Sequence, residues 1–232
     1  IPSEEGLEHL WSLVQQQIRD RICDPIRMFI KPEPHKVNKL DEGRYRIISS
    51  VSIVDQVIDQ MLFGYMNDKL IENFNSIPSK AGWTQLKGGW KIMQQSGFVT
   101  ADKSSWDWTA VIWLLELVLG VRIDLCRTAR DENRESDFEL WKDLATWRYY
   151  CLYVDPVFVT SGGLFLKQRQ PGVLKSGCVN TIHDNSIMQV LLHVIVCIYL
   201  EIDIEWLYAL GDDTSQREPD KAEQYFEELA KY

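Results

Sequence analysis

Three aspartates define the chemistry open to this chain. Asp212 and Asp213 follow Gly211, between the apolar run Ile204 to Leu210 and the polar Thr214-Ser215-Gln216. The pattern reads as a hairpin with two carboxylates at its tip, the glycine supplying the turn. Side chains alternate faces along extended backbone, so Asp212 and Asp213 are expected to be unequal ligands. Upstream, Phe98-Val99-Thr100-Ala101 is a second short apolar segment, and it ends in Asp102. A carboxylate at the end of each of two strands suits Mg²⁺ or Mn²⁺, hard ions that take one or two carboxylates, water and substrate phosphates. Two such ions, about 4 Å apart, can clamp the attacking and leaving oxygens of a phosphoryl displacement. The chemically silent alternatives are a solvated Gly-Asp-Asp turn and a helix N-cap. For the cap, Asp107 is better placed than Asp102, being closer to the periodic run that begins at Val111.

Between these carboxylates lies a third block, Gln170-Pro171-Gly172 through Ser176-Gly177 to Thr181 and Asn185. It reads as a glycine-containing loop running into a helix, whose first N–H groups suit phosphate or sugar. Ser176, Thr181 and Asn185 add neutral polar groups at a helical spacing of four to five. Turn chemistry is the plain alternative for Ser176-Gly177, and an exposed helix face for Asn185. A fourth block, Phe29-Ile30-Lys31 through Lys39 to Arg44-Tyr45-Arg46, concentrates positive charge; its plain alternative is a lysine-bearing surface loop.

In this order the blocks Asp102-x4-Asp107, Ser176-Gly177-x3-Thr181-x3-Asn185 and Gly211-Asp212-Asp213 resemble the palm of a viral RNA-dependent RNA polymerase. The basic block is similar to that family's fingers motif. The wording Ser105-Trp106-Asp107-Trp108 is most similar to the sobemovirus and luteovirus-like group of positive-strand RNA viruses. The resemblance implies template-directed RNA synthesis with two Mg²⁺ or Mn²⁺ ions. It makes Asp102 and Asp212 the principal metal ligands and Asp213 an auxiliary one. Asp107 and Asn185, assisted by Thr181, would read the ribose 2′-hydroxyl, a group that both donates and accepts. Ser176-Gly177 would form a flexible loop near the template and nascent pair. Lys31, Lys39, Arg44 and Arg46 would face the triphosphate, where arginine offers a planar fork and lysine a point charge. His35 departs from the arginine sometimes found near its place, and no role is carried to it.

The same resemblance implies RNA template, nascent RNA and nucleoside triphosphates as partners, and other viral replication proteins besides. The setting would be the host cell cytoplasm, at membrane-associated replication complexes reached through partners. A reverse transcriptase is the nearest alternative enzyme, but that family usually has a bulky aromatic where this chain offers Asp107 and Asn185. A non-catalytic nucleic-acid-binding or viral scaffold protein is the alternative of another class. The family further implies a lysine that protonates pyrophosphate, and then a thumb. Nineteen residues follow Asp213, and Lys221 and Lys231 are poorly placed substitutes, so the expectation is a fragment without a thumb and unable to sustain synthesis.

The elements that must position these groups form an α+β pattern, a small antiparallel sheet packed on helices as in a right-hand palm, with part of the fingers. The division expected is a fingers fragment over 1–52, palm over 53–150, a fingers hairpin insertion over 151–175 and palm again over 176–232. Ser3 caps a first helix with Leu7, Leu10, Trp11, Val14 and Ile18 on one face, and the segment Pro25 to Pro34 breaks it. Ile53, Val57, Ile58, Met61, Leu62, Tyr65 and Met66 mark another amphipathic helix. Helices are expected over Trp108 to Arg127, Ser136 to Trp147, Asn180 to Leu200 and Pro219 to Lys231. Val157–Thr160 and Leu164–Lys167 flank Ser161-Gly162-Gly163 as a hairpin. The apolar run Ile187 to Leu200 is too short to cross a bilayer, so no transmembrane segment is expected, and the N-terminus has no secretory pattern.

A formal charge of −9 argues against a uniformly basic nucleic-acid binder, though not against a locally basic channel. The acidity gathers in Asp131 to Asp143 and Glu218 to Glu228, which read as solvated helix faces. Five cysteines without a Cys-x-x-Cys pair read as reduced, mostly buried thiols. The four histidines make no zinc pattern.

Overall fold

Ser3 accepts a hydrogen bond from the Gly6 N–H at 3.1 Å and so caps the first helix as its residue type predicts. The computed structural model describes residues 3–93, 97–129 and 135–232. Along the chain run α1 (Glu4–Asp20), β1 (Ile26–Ile30), α2 (Val37–Asp41), β2 (Ile47–Ser50) and α3 (Ile53–Glu72). There follow β3 (Phe98–Ala101), α4 (Trp106–Thr109), α5 (Ile112–Ala129) and α6 (Glu135–Tyr149). The chain continues with β4 (Val157–Thr160), β5 (Phe165–Lys167), α7 (Thr181–Leu200), β6 (Leu207–Leu210), β7 (Asp213–Arg217) and α8 (Ala222–Leu229). By packing, the chain divides into Ile1–Leu62 with Arg122–Val179, and Phe63–Val121 with Asn180–Tyr232.

The first unit holds a four-stranded sheet in the order β2-β1-β4-β5. β1 pairs antiparallel with β2 and parallel with β4, and β4 and β5 form the expected hairpin. β1 itself lies in the segment read only as a helix breaker. Prolines frame it, and Ile26 buries against the core while Arg27 points out. The core gathers Val14, Val54 and Ile58 with Leu10, Leu13, Ile18 and Trp147 packed around them. Two expected faces hold only in part, Leu10, Val14, Ile18, Val57, Ile58 and Leu62 reaching the core. On α1, Leu7 and Trp11 are exposed and the buried stripe runs through Val14 and Gln17. On α3, Ile53, Met61 and Tyr65 are exposed, whereas Asp55 and Asp59 are buried beside Val54 and Ile58. The cause is Arg148 of α6, fully buried, whose Nε and Nη2 donate to Asp59 at 2.6 and 3.1 Å and whose Nη1 donates to Asp55 at 2.7 Å. A paired guanidinium lets carboxylates occupy positions that apolar counting assigns to leucine or isoleucine.

The second unit holds a three-stranded antiparallel sheet in the order β3-β7-β6. Its central strand is polar, yet Thr214, Ser215 and Gln216 are buried. α7 packs against β6 and α8, and Val196, Cys197 and Tyr225 form a core with Leu200, Phe226 and Leu229 packed on it. His193 is an internal tie: it lies 2.8 Å from the Tyr225 hydroxyl through Nδ1 and 3.0 Å from the Glu205 carbonyl through Nε2, and burial lowers its pKa.

Several boundaries move. The helix expected over Trp108 to Arg127 is two helices, because Ala110 (φ −57°, ψ 117°) leaves helical geometry. Asp107 is no N-cap: the cap is Ser105, and Asp107 lies within the first turn of α4. α7 is 20 residues long and reaches the length and apolar content of a membrane span, though more than half of its most apolar stretch is buried within the protein. It exceeds the apolar run because it opens with Thr181 to Ser186, all polar but Ile182. Of the acidic stretch starting at Asp131, residues 131–134 lie outside the described residues, while Asp137, Glu139 and Asp143 are exposed as expected. Glu228 departs from that expectation, being buried and paired with Lys231. Only Cys178 and Cys197 are buried; Cys23, Cys126 and Cys151 are partly accessible.

Candidate active site

The β6–β7 register pairs Leu210 with Asp213 and leaves Gly211 and Asp212 as a two-residue turn. Gly211 takes φ +67°, the left-handed geometry that this turn needs at its first position and that glycine adopts without strain. On the other side of β7, Ala101 pairs with Thr214. The next residue on each strand is therefore Asp102 on one and Asp213 on the other, two carboxylates ending adjacent strands at one level. Asp102 and Asp213 are exposed, and Asp212 in the turn is half-buried. Asp102 borders two cavities, one of about 550 Å³ shared with Lys103, Ser104 and Trp106, the other of about 370 Å³ shared with Lys80, Tyr208 and Asp213.

One cation answers this cluster. The Lys103 ammonium donates toward the Asp212 carbonyl at 3.4 Å. Burial pulls its pKa down, opposed by the charges of Asp212, Asp213 and Asp102 together. Among the described residues no group of three or more His, Cys, Asp or Glu side chains is assembled to hold a metal ion. The donors at the strand ends are nevertheless all hard oxygens. That set fits Mg²⁺ or Mn²⁺, which bind through one or two carboxylates and complete their shells with water and phosphate.

Neutral, buried hydrogen bonds hold the cluster from below. The Ser186 hydroxyl accepts the Gly211 N–H at 3.0 Å and donates to the Ile182 carbonyl at 2.8 Å, fixing the turn to α7. Trp106 Nε1–H donates to Asn185 Oδ1 at 2.7 Å, which seats α4, the bearer of half-buried Asp107, on α7. Asn185 is thus buried rather than on an exposed face, and the acceptor end of its carboxamide is engaged within the protein. Thr181 opens α7, half-buried. Asn180 precedes it, with its Oδ1 accepting from Asn67 at 2.9 Å instead of capping the helix.

Ser176 and Gly177 belong to the first unit and precede α7, so Ser176 does not share a helix with Thr181 and Asn185. They are pinned to β2: Ser176 Oγ accepts the Ser49 N–H at 3.2 Å, and the Gly177 N–H donates to the Ser49 carbonyl at 2.8 Å. A Cβ at Gly177 would stand 2.5 Å from that carbonyl oxygen, which explains the glycine. The preceding Lys175 is fully buried, and its ammonium donates to Gln168 Oε1 and to the Gly172 and Val173 carbonyls. Burial lowers its pKa to about 7.

The basic block lies in the same unit. Lys31 and Arg46 meet on Glu33, at 2.8 and 2.9 Å, and hold its carboxyl below the usual carboxylate range, Lys31 foremost. The Arg44 N–H reaches the Lys39 carbonyl at 2.8 Å, and the Arg44 side chain pairs with Glu42. Lys39 is exposed on α2. His35, left without a role by the sequence, lies 2.8 Å from the Glu33 carbonyl through Nδ1 and takes the Arg46 N–H on Nε2 at 3.3 Å, so it clamps the two arms of this loop.

Sequence reasoning missed Ser186, Lys103 and Lys80. Lys103 and Ser186 each follow a chosen residue directly, and adjacency was the only signal. Lys80 is buried, with its ammonium on the Phe74 and Ile77 carbonyls and over the Tyr208 ring at 4.3 Å, and its N–H bonded to Ala209 of β6. Nothing in its flanking sequence marks that.

Comparison with known proteins bears on the whole chain. A family model described as viral RNA-directed RNA polymerase matches residues 3–96. The chain is 33% identical to the "Replicase polyprotein P2AB" of Cocksfoot mottle virus over 99% of its own length and 24% of that protein. It is 34% identical to the protein of the same name from Southern cowpea mosaic virus, over 83% of this chain and 20% of the relative. To "Protein P1-P2" of Potato leafroll virus it is 33% identical, over 91% of this chain and 20% of the relative. The chain therefore spans a quarter or less of the length of these relatives. Motif order, palm-like hairpin and these likenesses agree, and the chain belongs to the viral RNA-directed RNA polymerases, among the sobemovirus and luteovirus-like members.

Proposed function

We propose that this chain carries the nucleotide-adding centre of a viral RNA replicase, which transfers nucleotidyl groups from nucleoside triphosphates to an RNA 3′-hydroxyl on an RNA template. The observation that carries the reading is the register of β3, β7 and β6, which sets Asp102 level with Asp213 beside the turn that holds Asp212. Asp102 and Asp212 would hold Mg²⁺ or Mn²⁺, with Asp213 auxiliary. Two such ions, when bound, lower the barrier by polarising the phosphoryl group and the attacking hydroxyl. The chain's own part is to hold these carboxylates rigidly through Ser186 and the sheet, and to leave them open to solvent on the side of the two cavities.

Sugar selection follows from α4 and α7. Asp107 would accept from the ribose 2′-hydroxyl. Asn185, its Oδ1 held by Trp106, would donate through its amide, with Thr181 completing the network. Lys31, Lys39, Arg44 and Arg46 would receive the triphosphate, Lys31 and Arg46 exchanging Glu33 for phosphate oxygens. Ser176 and Gly177 would border the template and nascent pair. Family membership supports placing this work in the host cytoplasm, with other replication proteins as partners at membrane-associated complexes.

Asp212→Asn in a complete polymerase tests the metal assignment. Mn²⁺ affinity and nucleotide incorporation are expected to fall together, by at least the ~10–100-fold that loss of even a supporting group causes at a metal site. Near-normal incorporation in Mg²⁺ by a folded variant would overturn it.

A further inference from the structure

Between Glu72 and Asp102 the chain carries no aspartate or glutamate, and its only charged residues there are Lys80, Lys87 and Lys91, although the protein as a whole has a formal charge of −9. Residues 83–93 of this stretch close on themselves. Trp83 Nε1–H donates to the Gly89 carbonyl at 2.9 Å, and a Cβ at Gly89 would stand 1.8 Å from the Thr84 carbonyl oxygen, so the two passes of backbone leave no room for a side chain. Lys87 takes the left-handed conformation, φ 53° and ψ 31°, which residues bearing a Cβ rarely adopt. This constrained turn presents apolar and cationic groups to solvent. Leu86 is 68% and Trp90 53% exposed, and Lys87 and Lys91 lie open beside them. The Lys91 ammonium stands over the Trp90 ring at 5.7 Å, which sets a phosphate-seeking charge next to a base-sized flat surface. Lys31, Lys69, Lys142, Lys167 and Lys231 each sit on a carboxylate, whereas among the described residues none is paired with Lys87 or Lys91.

We propose that residues 83–93 form a docking platform for single-stranded RNA, with Trp90 stacking on a base and Lys87 and Lys91 taking the neighbouring phosphates. The choice of RNA rests on the reading of this chain as part of an RNA replicase; the choice of an unpaired strand comes from the platform. An aromatic face can stack only on a base that is not already stacked within a duplex, and exposed lysines follow the backbone without reading sequence. Local positive charge in an acidic protein confines a polyanion to this patch. The platform also leads toward the strand-end carboxylates. Trp83 and Met93, near its two ends, line the cavity of about 370 Å³ together with Asp102 and Asp213. A strand held on Trp90 is thereby anchored on the wall of that cavity, where an unpaired template awaits copying.

The test is fluorescence anisotropy of a labelled single strand of about ten uridines, a length within the site sizes of such surfaces, titrated with the purified 232-residue chain. EDTA is present throughout, so binding is read without metal and a failure of the metal assignment leaves the result standing. Trp90→Ala should weaken binding by roughly five- to 150-fold, the effect of losing one base stacked on an aromatic ring, and Trp90→Phe should restore most of it. Lys87→Gln and Lys91→Gln should each make the dependence of log affinity on log salt shallower by about 0.7. Fully paired RNA should bind Trp90→Ala and the parent chain alike. Absence of single-strand binding by the parent, an affinity of Trp90→Ala within twofold of the parent, or equal losses for paired and unpaired RNA would overturn the platform. Photo-crosslinking of the native chain to a strand containing 4-thiouridine decides the matter should the variants fail to fold: attachment within residues 83–93 is expected, and attachment confined to other peptides would be fatal.

Discussion

Asp55 and Asp59 are 1% exposed and share one guanidinium, that of Arg148, whereas Asp102 and Asp213 stand open at the ends of adjacent strands. The two clusters use the same acidic groups in different surroundings. In the first, desolvation is offset by short, well-directed bonds, and the buried guanidinium is turned onto the two carboxylates. Such a cluster contributes to which helix face is buried, and it carries a large penalty only when one partner is removed. In the second, the bonds that fix the backbone are neutral, from Ser186 to Gly211 and from Trp106 to Asn185. The carboxylate oxygens stay available to a cation. Lys103 feels all three charges, which oppose the effect of its burial. The difference teaches that burial and pairing, and not residue type, separate a structural carboxylate from one that can bind a ligand.

The contrast breaks most severely at Arg148. Arg148→Met should lower unfolding stability by about 3–5 kcal/mol, since Asp55 and Asp59 are left buried without their counter-ion. Asp212→Asn in the same urea titration should stay within ~0.5 kcal/mol, as surface substitutions do. Equal costs at the two sites would erase the distinction drawn between them.

A smaller effect is expected at Ser186. Removing its hydroxyl in Ser186→Ala leaves the buried Gly211 N–H without its acceptor, at a cost of about 1–3 kcal/mol. Amide exchange at Gly211 should accelerate accordingly, while Trp106 Nε1–H, bonded to Asn185, keeps its protection. If Gly211 exchange is unchanged, the sheet register alone holds the turn.

Lys103 sharpens the comparison most gently. Lys103→Gln takes away the positive charge nearest the strand-end aspartates, and Mn²⁺ followed by its paramagnetic resonance should bind about five- to tenfold tighter. That corresponds to a unit charge acting across a partly hydrated site with an energy on the order of 1 kcal/mol. Weaker binding would make the lysine a supporting group and not a competing cation.

Much of this was legible in local patterns. Ser3 as a cap, the Val157–Thr160 hairpin and the long helix up to Leu200 follow from capping chemistry, alternation and apolar content, each a property of neighbouring residues. The faces of α1 and α3 were legible in part: Leu10, Val14, Ile18, Val57, Ile58 and Leu62 reach the core as expected, while periodicity, which counts apolar side chains, could not show that Asp55 and Asp59 are buried with them. The charges buried on α3 cancel only against Arg148, 89 residues from Asp59 and 93 from Asp55. Asn185 shows the same limit, since its partner Trp106 lies 79 residues away.

The sequence alone determined the order of the motifs, the glycine that turns the hairpin and the carboxylates on either side of it, because turn geometry and strand alternation are written in consecutive residues. Tertiary structure decided which strand lies between the other two, that the polar Thr214-Ser215-Gln216 is buried and that Asp102 comes level with Asp213. It also decided that Asn185 is engaged and that His35 is a clamp. Pairing across long stretches of chain depends on which surfaces exclude water together, and that is settled only when the whole fold closes.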